Sequence, residues 1–221
     1  MTTNPRTAFP APATGTPPRS CDRIFTCDKA QIATSPFVYR GATVFMPERL
    51  GNLQQTWGLS SDGRICAFSP DRVYRYTLLH SWADMFAPEL KTVAWIALNP
   101  STADENQLDP TLRRIRGFSA AWGYNSFMML NAFAFRATDP KEMERAADPN
   151  GPENDAYLLA ETAKVDKVIC AWGTHAALND RQNQIRALLK DRPLYYLKLT
   201  KDGFPSHPLY LKSDLVPVRW N

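Results

Sequence analysis

Short apolar runs separated by segments of helical character fill the chain from residue 93 onward. The runs VAWIAL, FMMLNAFAF, KVICAW and LYYLKL have the length and character of buried strands. Between them the pattern predicts a helix that opens at Asp109-Pro110, another near residues 153–164 and a third over residues 176–190. Strands that alternate with helices predict an α/β fold whose centre is a four-stranded parallel sheet with helices on both faces.

The helix that opens at Asp109 carries the clearest local signals. Aspartate suits the N-cap because its carboxylate accepts a backbone N–H, and Pro110 suits the first helical position. Apolar side chains then recur at helical spacing, at Leu112, Ile115, Phe118 and Trp122.

The first 80 residues have a different pattern. Residues 1–20, rich in proline, threonine and alanine, predict a disordered tail. Residues 21–80 predict an N-terminal extension of β type, with the segments FVYRGATVFM, RICAFS and RVYRYTLL. The last two flank the turn signal Ser69-Pro70-Asp71 and predict a β-hairpin. Residues 81–221 then form the α/β core.

A polar or aromatic residue marks the end of each predicted core strand. Asn99 follows the first run, Asn131 lies within the second, Trp172 ends the third, and His207 follows the fourth. Right-handed crossovers place the carboxyl ends of parallel strands at one edge of the sheet, where α/β folds bind their ligands. The sequence therefore predicts one shared site. Simpler explanations are a turn at Asn99, core packing of Trp172 and a loop cap at His207.

Composition limits the function classes. Hydrophobic residues make up 44% and charged residues 22% of the chain, as in ordinary globular proteins. No apolar run approaches the roughly 20 residues of a membrane-spanning helix, and the N-terminus lacks the basic-then-apolar pattern of a signal peptide. We therefore expect a cytoplasmic protein with no membrane partner.

Charge is unevenly distributed along the chain, whose formal net charge is +4. Residues 111–136 contain four arginines and no acidic residue, and residues 186–221 contain seven basic and three acidic residues. Residues 139–166 reverse the balance, with eight acidic and three basic residues. If the basic segments share a face, that face attracts a phosphate backbone. Solvated helix surfaces explain such runs equally well.

The four cysteines form no C-x-x-C pair. Cys170 lies inside an apolar run, and we interpret the set as reduced and structural. A metal or iron–sulfur site built from Cys21, Cys27 and Cys66 is the alternative.

Together the motifs ALNPS, MMLNAF, CAWGTHA and FPSHPLYL resemble those of the uracil-DNA glycosylase superfamily in order and spacing. In the branch that acts on uracil and thymine mismatches, an Asn-Pro pair like Asn99-Pro100 follows the first strand and orients the attacking water. The second strand of that superfamily delivers an asparagine that binds the flipped base, which implies this role for Asn131. The third ends in Trp-Gly, like Trp172-Gly173. The last motif begins His-Pro, like His207-Pro208, and continues into a loop that wedges the duplex.

The whole chain also resembles a set of bacterial proteins with a domain of unknown function. We associate these with the anti-phage enzymes called bacteriophage replication inhibition DNA glycosylases. That resemblance implies removal of α-glucosylated 5-hydroxymethylcytosine from phage DNA.

Two departures from the uracil-specific pattern bear on the substrate and on the wedge. Ser101 stands where the uracil-specific branch has a tyrosine that blocks C5 substituents, so the pocket is expected to be open beside C5. The last motif lacks the usual second proline and serine after His207-Pro208. The wedge residue therefore stays open between Tyr210 and Leu211.

N-glycosidic cleavage asks for these residue types. It leaves positive charge on the sugar and negative charge on the departing base, so the site needs a positioned water and stabilisers of both charges. Asn99 suits the water, His207 a ring carbonyl and Asn131 a Watson–Crick edge. Asp109 is expected to stabilise the cationic sugar, with Asp104 as the alternative, although helix capping also explains Asp109. The predicted base pocket is completed by Pro100, Ser101 and Trp172.

The target base must leave the stack to reach this pocket, and a side chain must fill the vacated space. The residues predicted to hold DNA are Arg113, Lys198, Ser206, Tyr210, Leu211 and Lys212. His175, close after Trp172, is expected to cap the helix that starts there.

The sequence thus predicts a monomeric, monofunctional DNA glycosylase that excises a C5-modified pyrimidine from double-stranded phage DNA in antiviral defence, without cofactor or metal. No lysine stands at a strand-end motif to form a Schiff base, so strand cleavage is not expected. The alternatives are a non-catalytic DNA- or nucleotide-binding module of the same fold, a uracil/thymine mismatch repair glycosylase, and an enzyme that hydrolyses free modified nucleotides.

Overall fold

The computed structural model describes residues 64–83, 89–101 and 109–220, together with short strands earlier in the chain. The strands are β1 (Ile24–Phe25), β2 (Phe37–Tyr39), β3 (Ala42–Val44), β4 (Thr56–Leu59), β5 (Arg64–Phe68), β6 (Arg75–Ser81), β7 (Thr92–Ala97), β8 (Ser126–Asn131), β9 (Val168–Cys170), β10 (Leu194–Tyr196) and β11 (Val218–Arg219). The α-helices are α1 (Pro110–Ala121), α2 (Pro140–Arg145), α3 (Asn154–Thr162) and α4 (Arg181–Leu188), and Thr174–Asp180 and Pro208–Tyr210 form 3₁₀ helices. The predicted tail, residues 1–20, lies outside the described residues, as do Cys21, Cys27 and Asp104.

Nine of the described strands form one mixed sheet in the order β1-β4-β5-β6-β8-β7-β9-β10-β11, while β2 pairs with β3. The four apolar runs of the core are β7 to β10, and they pair in parallel. On either side the sheet continues antiparallel, with β6 on β8 and β11 on β10. The α/β class is confirmed, but the prediction of a four-stranded parallel sheet is wrong because the parallel strands are the middle of a wider mixed sheet.

The physical reason for this correction lies in β6. The predicted hairpin is present, because β5 and β6 pair antiparallel. Most of β6 is also buried, so it needs neighbours on both edges, and the edge of β8 supplies unpaired backbone groups. Hydrophobic periodicity identifies such a strand but does not identify its partner, so the docking of the hairpin onto the core could not be read from the pattern.

Helices cover both faces of the sheet, as the sequence predicted. Apolar residues of α1 pack on one face, and apolar residues of α2, α3 and α4 pack on the other. In the sheet, β8 lies on one side of β7, whereas β9 and then β10 lie on the other side of β7. The carboxyl ends of β7 and β9 therefore form a topological switch point, the place where open α/β sheets bind ligands.

Two of the predicted helices are confirmed, and the third is shorter than expected. In α1, Asp109 accepts the N–H of Leu112 at 2.7 Å and Pro110 is the first helical residue. The helix expected at 176–190 begins at Arg181, because Asn179 (φ 52°) and Asp180 (φ 57°) adopt left-handed backbone before it. The sequence analysis missed α2, although Asp139 caps it and a proline follows. A six-residue helix is too short to show apolar periodicity.

A glycine with positive φ packs the loop before α3 against the sheet. Gly151 has φ +80°, and a Cβ there would lie 2.8 Å from Cδ1 of Tyr74 and 3.2 Å from Cβ of Ala134. Gly151→Ala is expected to lower the free energy of unfolding by about 2 kcal/mol, roughly half from left-handed strain and half from the clash. Gly123→Ala is the matched control, since Gly123 has φ +85° and open space around it. Its expected loss in chemical denaturation is about 1 kcal/mol, and equal losses for both variants would exclude a role for the Tyr74 contact.

In the parts of the chain that the structure describes, no helix is long and apolar enough to cross a membrane.

Candidate functional site

A cleft of about 870 Å³ opens at the carboxyl ends of β7, β9 and β10. Its walls are the segments that follow these strands, together with the start of α1. The structure therefore brings residues from distant parts of the sequence together at the switch point. The predicted site residues that line the cleft are Asn99, Ser101, Asp109, Trp172, Lys198, Ser206, His207, Tyr210 and Leu211.

The structure does not place Pro100, Asn131, Arg113 or Lys212 in the lining of the cleft. Pro100 is buried, and its carbonyl accepts the N–H of Ala137 at 2.9 Å. Arg113 and Lys212 are exposed side chains on segments that border the cleft-lining residues Leu112 and Leu211. Only Asn131 of these residues lies at the end of a parallel core strand.

The Asn99 side chain is held by backbone carbonyls of the segments that follow β7 and β8. Its Nδ2 donates to the carbonyl oxygens of Ala137 at 2.8 Å and Pro100 at 3.3 Å. Because both partners are acceptors, the amide orientation is determined: nitrogen toward the backbone and oxygen away from it. Oδ1 has no hydrogen-bond partner among the described residues. Since Asn99 lines the cleft, its oxygen can accept a hydrogen bond from a ligand or a water there.

His207 lies at the start of the 3₁₀ helix Pro208–Tyr210 and lines the cleft. Its Nδ1 accepts the N–H of Leu209 at 3.4 Å, so in the neutral ring the proton is on Nε2. Burial lowers the pKa of His207 below its ordinary value, and the nearby Asp109 carboxylate opposes this shift less strongly. The imidazole is therefore neutral at pH 7 and has one N–H donor to offer.

The lowered pKa of His207 makes the stability of the fold depend on pH. The folded state disfavours the imidazolium, so the full stability is present above the unfolded-state pKa of about 6.5 and is lost as pH falls through the lower folded-state pKa. His207→Asn keeps an acceptor for the Leu209 N–H but does not titrate there. We expect wild type to lose stability relative to this variant between pH 7 and pH 5 in urea denaturation. Parallel pH profiles of stability for the two proteins would show that burial of His207 does not cause the pH dependence.

Asp109 combines the two roles that the sequence left open. Its Oδ1 caps α1 through Leu112, and the residue also lines the cleft, where its charge acts on His207. Oδ2 has no hydrogen-bond partner in the described part of the chain. The helix cap thus fixes one carboxylate oxygen and leaves the other for the cleft.

Asn131 is a buried amide that the described residues leave unsatisfied. It is 1% exposed, and neither Oδ1 nor Nδ2 has a hydrogen-bond partner in the structure as described. It pairs in register with Ala97 of β7 and lies on the same face of the sheet as Met129, and both of these residues line the cleft. Leaving a buried polar group unpaired costs about 1–3 kcal/mol. A ligand with both donor and acceptor groups would remove that cost.

Backbone pairing positions the segment that carries His207. The loop after β10 folds back on itself, with the N–H of Ser206 donating to the carbonyl of Lys198 at 2.8 Å. The carbonyl of Pro205 accepts the N–H of Gly173 at 2.8 Å, which links this loop to the end of β9. The imidazole is therefore positioned from two neighbouring strands.

Tyr210 and Leu211, the two residues predicted as wedge candidates, differ in exposure. The side chain of Tyr210 is 87% exposed beside the cleft, and its ring centroid lies 6.4 Å from that of His207. Leu211 is half-buried against the core, and its carbonyl accepts from the guanidinium of Arg114. Tyr210 thus presents its ring to solvent, whereas Leu211 is anchored to the core.

Trp172 and His175 have contacts that explain them structurally. Trp172 is buried, donates from Nε1 to Gln182 at 3.1 Å and packs near Trp220, so its core role is confirmed alongside its place at the cleft. The expectation that His175 caps a helix is wrong. Gly173 holds the N-cap position, and His175 instead pairs with Glu144 at 2.7 Å.

Several residues of the cleft were not identified from the sequence. The buried Arg75 lines it from β6, and Thr138, Thr200 and Lys201 line it from loops. Among the described residues that line the cleft, the basic side chains are Arg75, Lys198 and Lys201, and Asp109 supplies the carboxylate. The sequence did indicate Arg75, because a charged residue inside an otherwise apolar strand is unusual. The loop residues carried no such signal.

No group of three or more His, Cys, Asp or Glu within the described residues could hold a metal ion. Cys66 and Cys170 are buried free thiols, and burial raises the pKa of Cys170 above its ordinary value. The alternative metal site from Cys21, Cys27 and Cys66 involves residues outside the described ones.

A family model described as "Protein of unknown function (DUF1643)" matches residues 75–209. The match begins with β6, so it includes the antiparallel strand beside β8 as well as the parallel strands and the His207 loop. No curated protein and no solved structure matches the chain.

Proposed function

This chain belongs to the DUF1643 family, and we propose that it is a monofunctional DNA glycosylase that excises a C5-modified pyrimidine. The observation that carries the proposal is the fixed Asn99 amide, whose nitrogen is bound to two backbone carbonyls and whose oxygen is left for the cleft. An amide oxygen accepts a hydrogen bond from water and so orients the water, but it is too weak a base to remove a proton from it. Such a group suits a dissociative reaction, in which the base departs before water adds.

The other charged and polar groups of the cleft supply what that reaction needs. The C1′–N1 bond breaks with its electron pair going to the base, which leaves a cationic sugar and an anionic base. The Asp109 carboxylate favours the cation, and the neutral His207 stabilises the anion by donating from Nε2–H. The water held by Asn99 then bonds through oxygen to C1′ and releases its proton to Asp109 and on to solvent. The base anion takes a proton from solvent, so the products are an abasic site and a free base.

Recognition of the base is assigned to Asn131. Its amide lies beside the cleft-lining Ala97, and the described protein uses neither its acceptor nor its two donor hydrogens. These groups match a Watson–Crick edge, which must enter more deeply than the cleft lining to reach them. Ser101 lines the cleft with a small side chain, which leaves room for a substituent at C5. The resemblance to anti-phage glycosylases favours α-glucosylated 5-hydroxymethylcytosine in phage DNA as that substrate.

The surroundings of the cleft suit duplex DNA. Lys198 and Lys201 are exposed beside it and are able to hold phosphates on either side of an extruded nucleotide. Tyr210 projects from the same rim and is placed to fill the gap in the stack. Extrusion is required because a base inside a duplex cannot reach the level of Asn99 and His207.

The test uses four matched duplexes that contain uracil, a G·T mismatch, 5-hydroxymethylcytosine or its α-glucosylated form. Purified protein is expected to produce strand breaks at the modified pyrimidine only after alkali treatment, because a monofunctional enzyme leaves an intact abasic strand. Preferred cleavage at uracil or thymine would instead indicate mismatch repair. Duplex binding with no alkali-labile product from any duplex would indicate a non-catalytic module and overturn the proposal.

A further inference from the structure

His175 and Glu144 form a hydrogen-bonded pair at the edge of the cleft that the proposed mechanism does not use. His175 lies in the 3₁₀ helix after β9 and lines the cleft, while Glu144 lies on α2. Nδ1 of His175 is 2.7 Å from Oε1 of Glu144, and the two side chains are 48% and 35% exposed. A pair this open to water adds little to the stability of a fold. The contact therefore sets the position of the imidazole more than it stabilises the protein.

The pair also determines which ring nitrogen is left for a ligand. A carboxylate oxygen only accepts, so Nδ1 of His175 carries a proton and donates it to Glu144. Nε2 has no hydrogen-bond partner among the described residues. Because the side chain is exposed and lines the cleft, a ligand in the cleft can reach this nitrogen. His175 is thus an accessible hydrogen-bonding group whose ring is held in place.

Polar side chains continue from Ser101 toward this pair. The hydroxyl oxygens of Ser101 and Thr138 are 3.4 Å apart, and both residues line the cleft. Thr138 lies just before α2, whose first residue, Pro140, also lines the cleft. From Pro140 to Glu144 the helix advances about 6 Å, which is comparable with the size of one hexose ring. Ser101, Thr138 and His175 therefore form a polar strip that begins at the position expected beside C5.

The chemistry of the polar strip suits an uncharged ligand that is rich in hydroxyl groups. The strip offers two hydroxyls and an imidazole, which donate and accept hydrogen bonds as a sugar does. Lys198 and Lys201, which suit phosphates, line the cleft from the loop after β10, on the far side of β9 from β7. The Glu144 carboxylate behind His175 further disfavours an anion at the strip.

The cleft is also large enough to hold more than a base. Its volume of about 870 Å³ is near the upper end of the range for sites that bind drug-sized molecules, about 300–1,000 Å³. A single pyrimidine ring is much smaller than such a molecule. A base that carries a sugar at C5 therefore uses space that a plain pyrimidine would leave empty.

We propose that His175, positioned by Glu144, is a specificity-determining residue that hydrogen-bonds a hydroxyl group of a sugar attached to C5 of the pyrimidine. This role rests on the proposed glycosylase function and extends it, because the small Ser101 side chain admits the sugar whereas His175 binds it. The substituent keeps all its bonds, so the contact is the same before and during excision of the base. Loss of His175 should therefore weaken substrate binding and leave the maximal rate unchanged.

The test compares duplexes that contain 5-hydroxymethylcytosine or its α-glucosylated form, in single-turnover excision at a series of protein concentrations. His175→Ala is expected to raise the half-saturating concentration for the glucosylated duplex about tenfold, the upper range for one neutral hydrogen bond. The maximal rate, and both parameters for 5-hydroxymethylcytosine, should stay within about twofold of wild type. Glu144→Gln keeps an acceptor for Nδ1 and should behave as wild type, whereas Glu144→Ala should show part of the His175→Ala effect.

Lys164→Ala is the control for loss of an exposed pair. Lys164 contacts Glu161 at 2.9 Å and its side chain is 47% exposed, but it does not line the cleft. It should leave both duplexes unaffected. If excision of 5-hydroxymethylcytosine is too slow to measure, the affinities of the Asn99→Ala protein for the two duplexes, with and without His175→Ala, supply the same comparison.

Three outcomes would overturn the role of His175 while leaving excision of a modified pyrimidine in place. Equal losses on the two duplexes would indicate a purely structural contact. No loss on the glucosylated duplex, or a wild-type preference for the base without the sugar, would exclude the sugar contact. Failure of wild type to excise any base would overturn the proposed function and this role with it.

Discussion

Replacement of Asn99 by alanine should lower the single-turnover rate of base excision about 10³-fold, the upper end of the loss typical of removing one positioned hydrogen-bonding group. The reason is geometric. Two backbone carbonyls fix the amide nitrogen, so the oxygen has one orientation toward the cleft, and alanine leaves the water without an acceptor. Duplex affinity should stay within about twofold of wild type, because this contact forms with water rather than with DNA.

Two further variants make the Asn99 prediction specific. Asn99→Asp keeps an oxygen but places a carboxylate against the carbonyls of Ala137 and Pro100, so it should lose nearly as much rate as the alanine variant. Asn125→Ala is the control, since the Asn125 amide also binds backbone, at Glu89 and Lys91, but does not line the cleft. It should lower stability and leave the excision rate unchanged. An Asn99→Ala protein with the wild-type rate would exclude the water-orienting role.

The sequence was a good guide to features that depend on short-range order. The four apolar runs correspond to β7 to β10, and Asp109 with Pro110 marks the start of α1. Burial of a strand and capping of a helix both depend on residues that are adjacent in the sequence. The convergence of Asn99 and His207 also followed, since parallel strands bring their carboxyl ends to one edge.

Features that depend on distant contacts could not be predicted from the pattern. The pairing of β6 with β8 joins residues about 50 positions apart in the chain, and no local signal specifies it. Arg75, at the start of the same strand, lines the cleft. The orientation of the Asn99 amide also depends on a distant contact, because its partner Ala137 lies on another segment. The sequence therefore predicted an amide at the site but not its orientation.

Tyr210→Ala should reduce excision from duplex DNA about 100-fold and excision from single-stranded DNA less than about threefold, since an inserted ring offsets a few kcal/mol of lost stacking. The side chain is 87% exposed on a short 3₁₀ helix whose first residue, Pro208, is buried. A large aromatic ring held out in water beside the cleft has little to contribute to the fold. The single-stranded substrate needs no wedge, so the ratio of the two rates isolates this role.

Two controls separate insertion of Tyr210 from an effect on the neighbouring imidazole. Tyr210→Phe keeps the ring, whose centroid lies 6.4 Å from that of His207, and should retain most of the duplex activity. Leu211→Ala removes a side chain that packs against the core, so it should lower stability and slow both substrates by similar factors. If Tyr210→Ala instead slows single-stranded and duplex DNA equally, the ring supports the site and does not enter the stack.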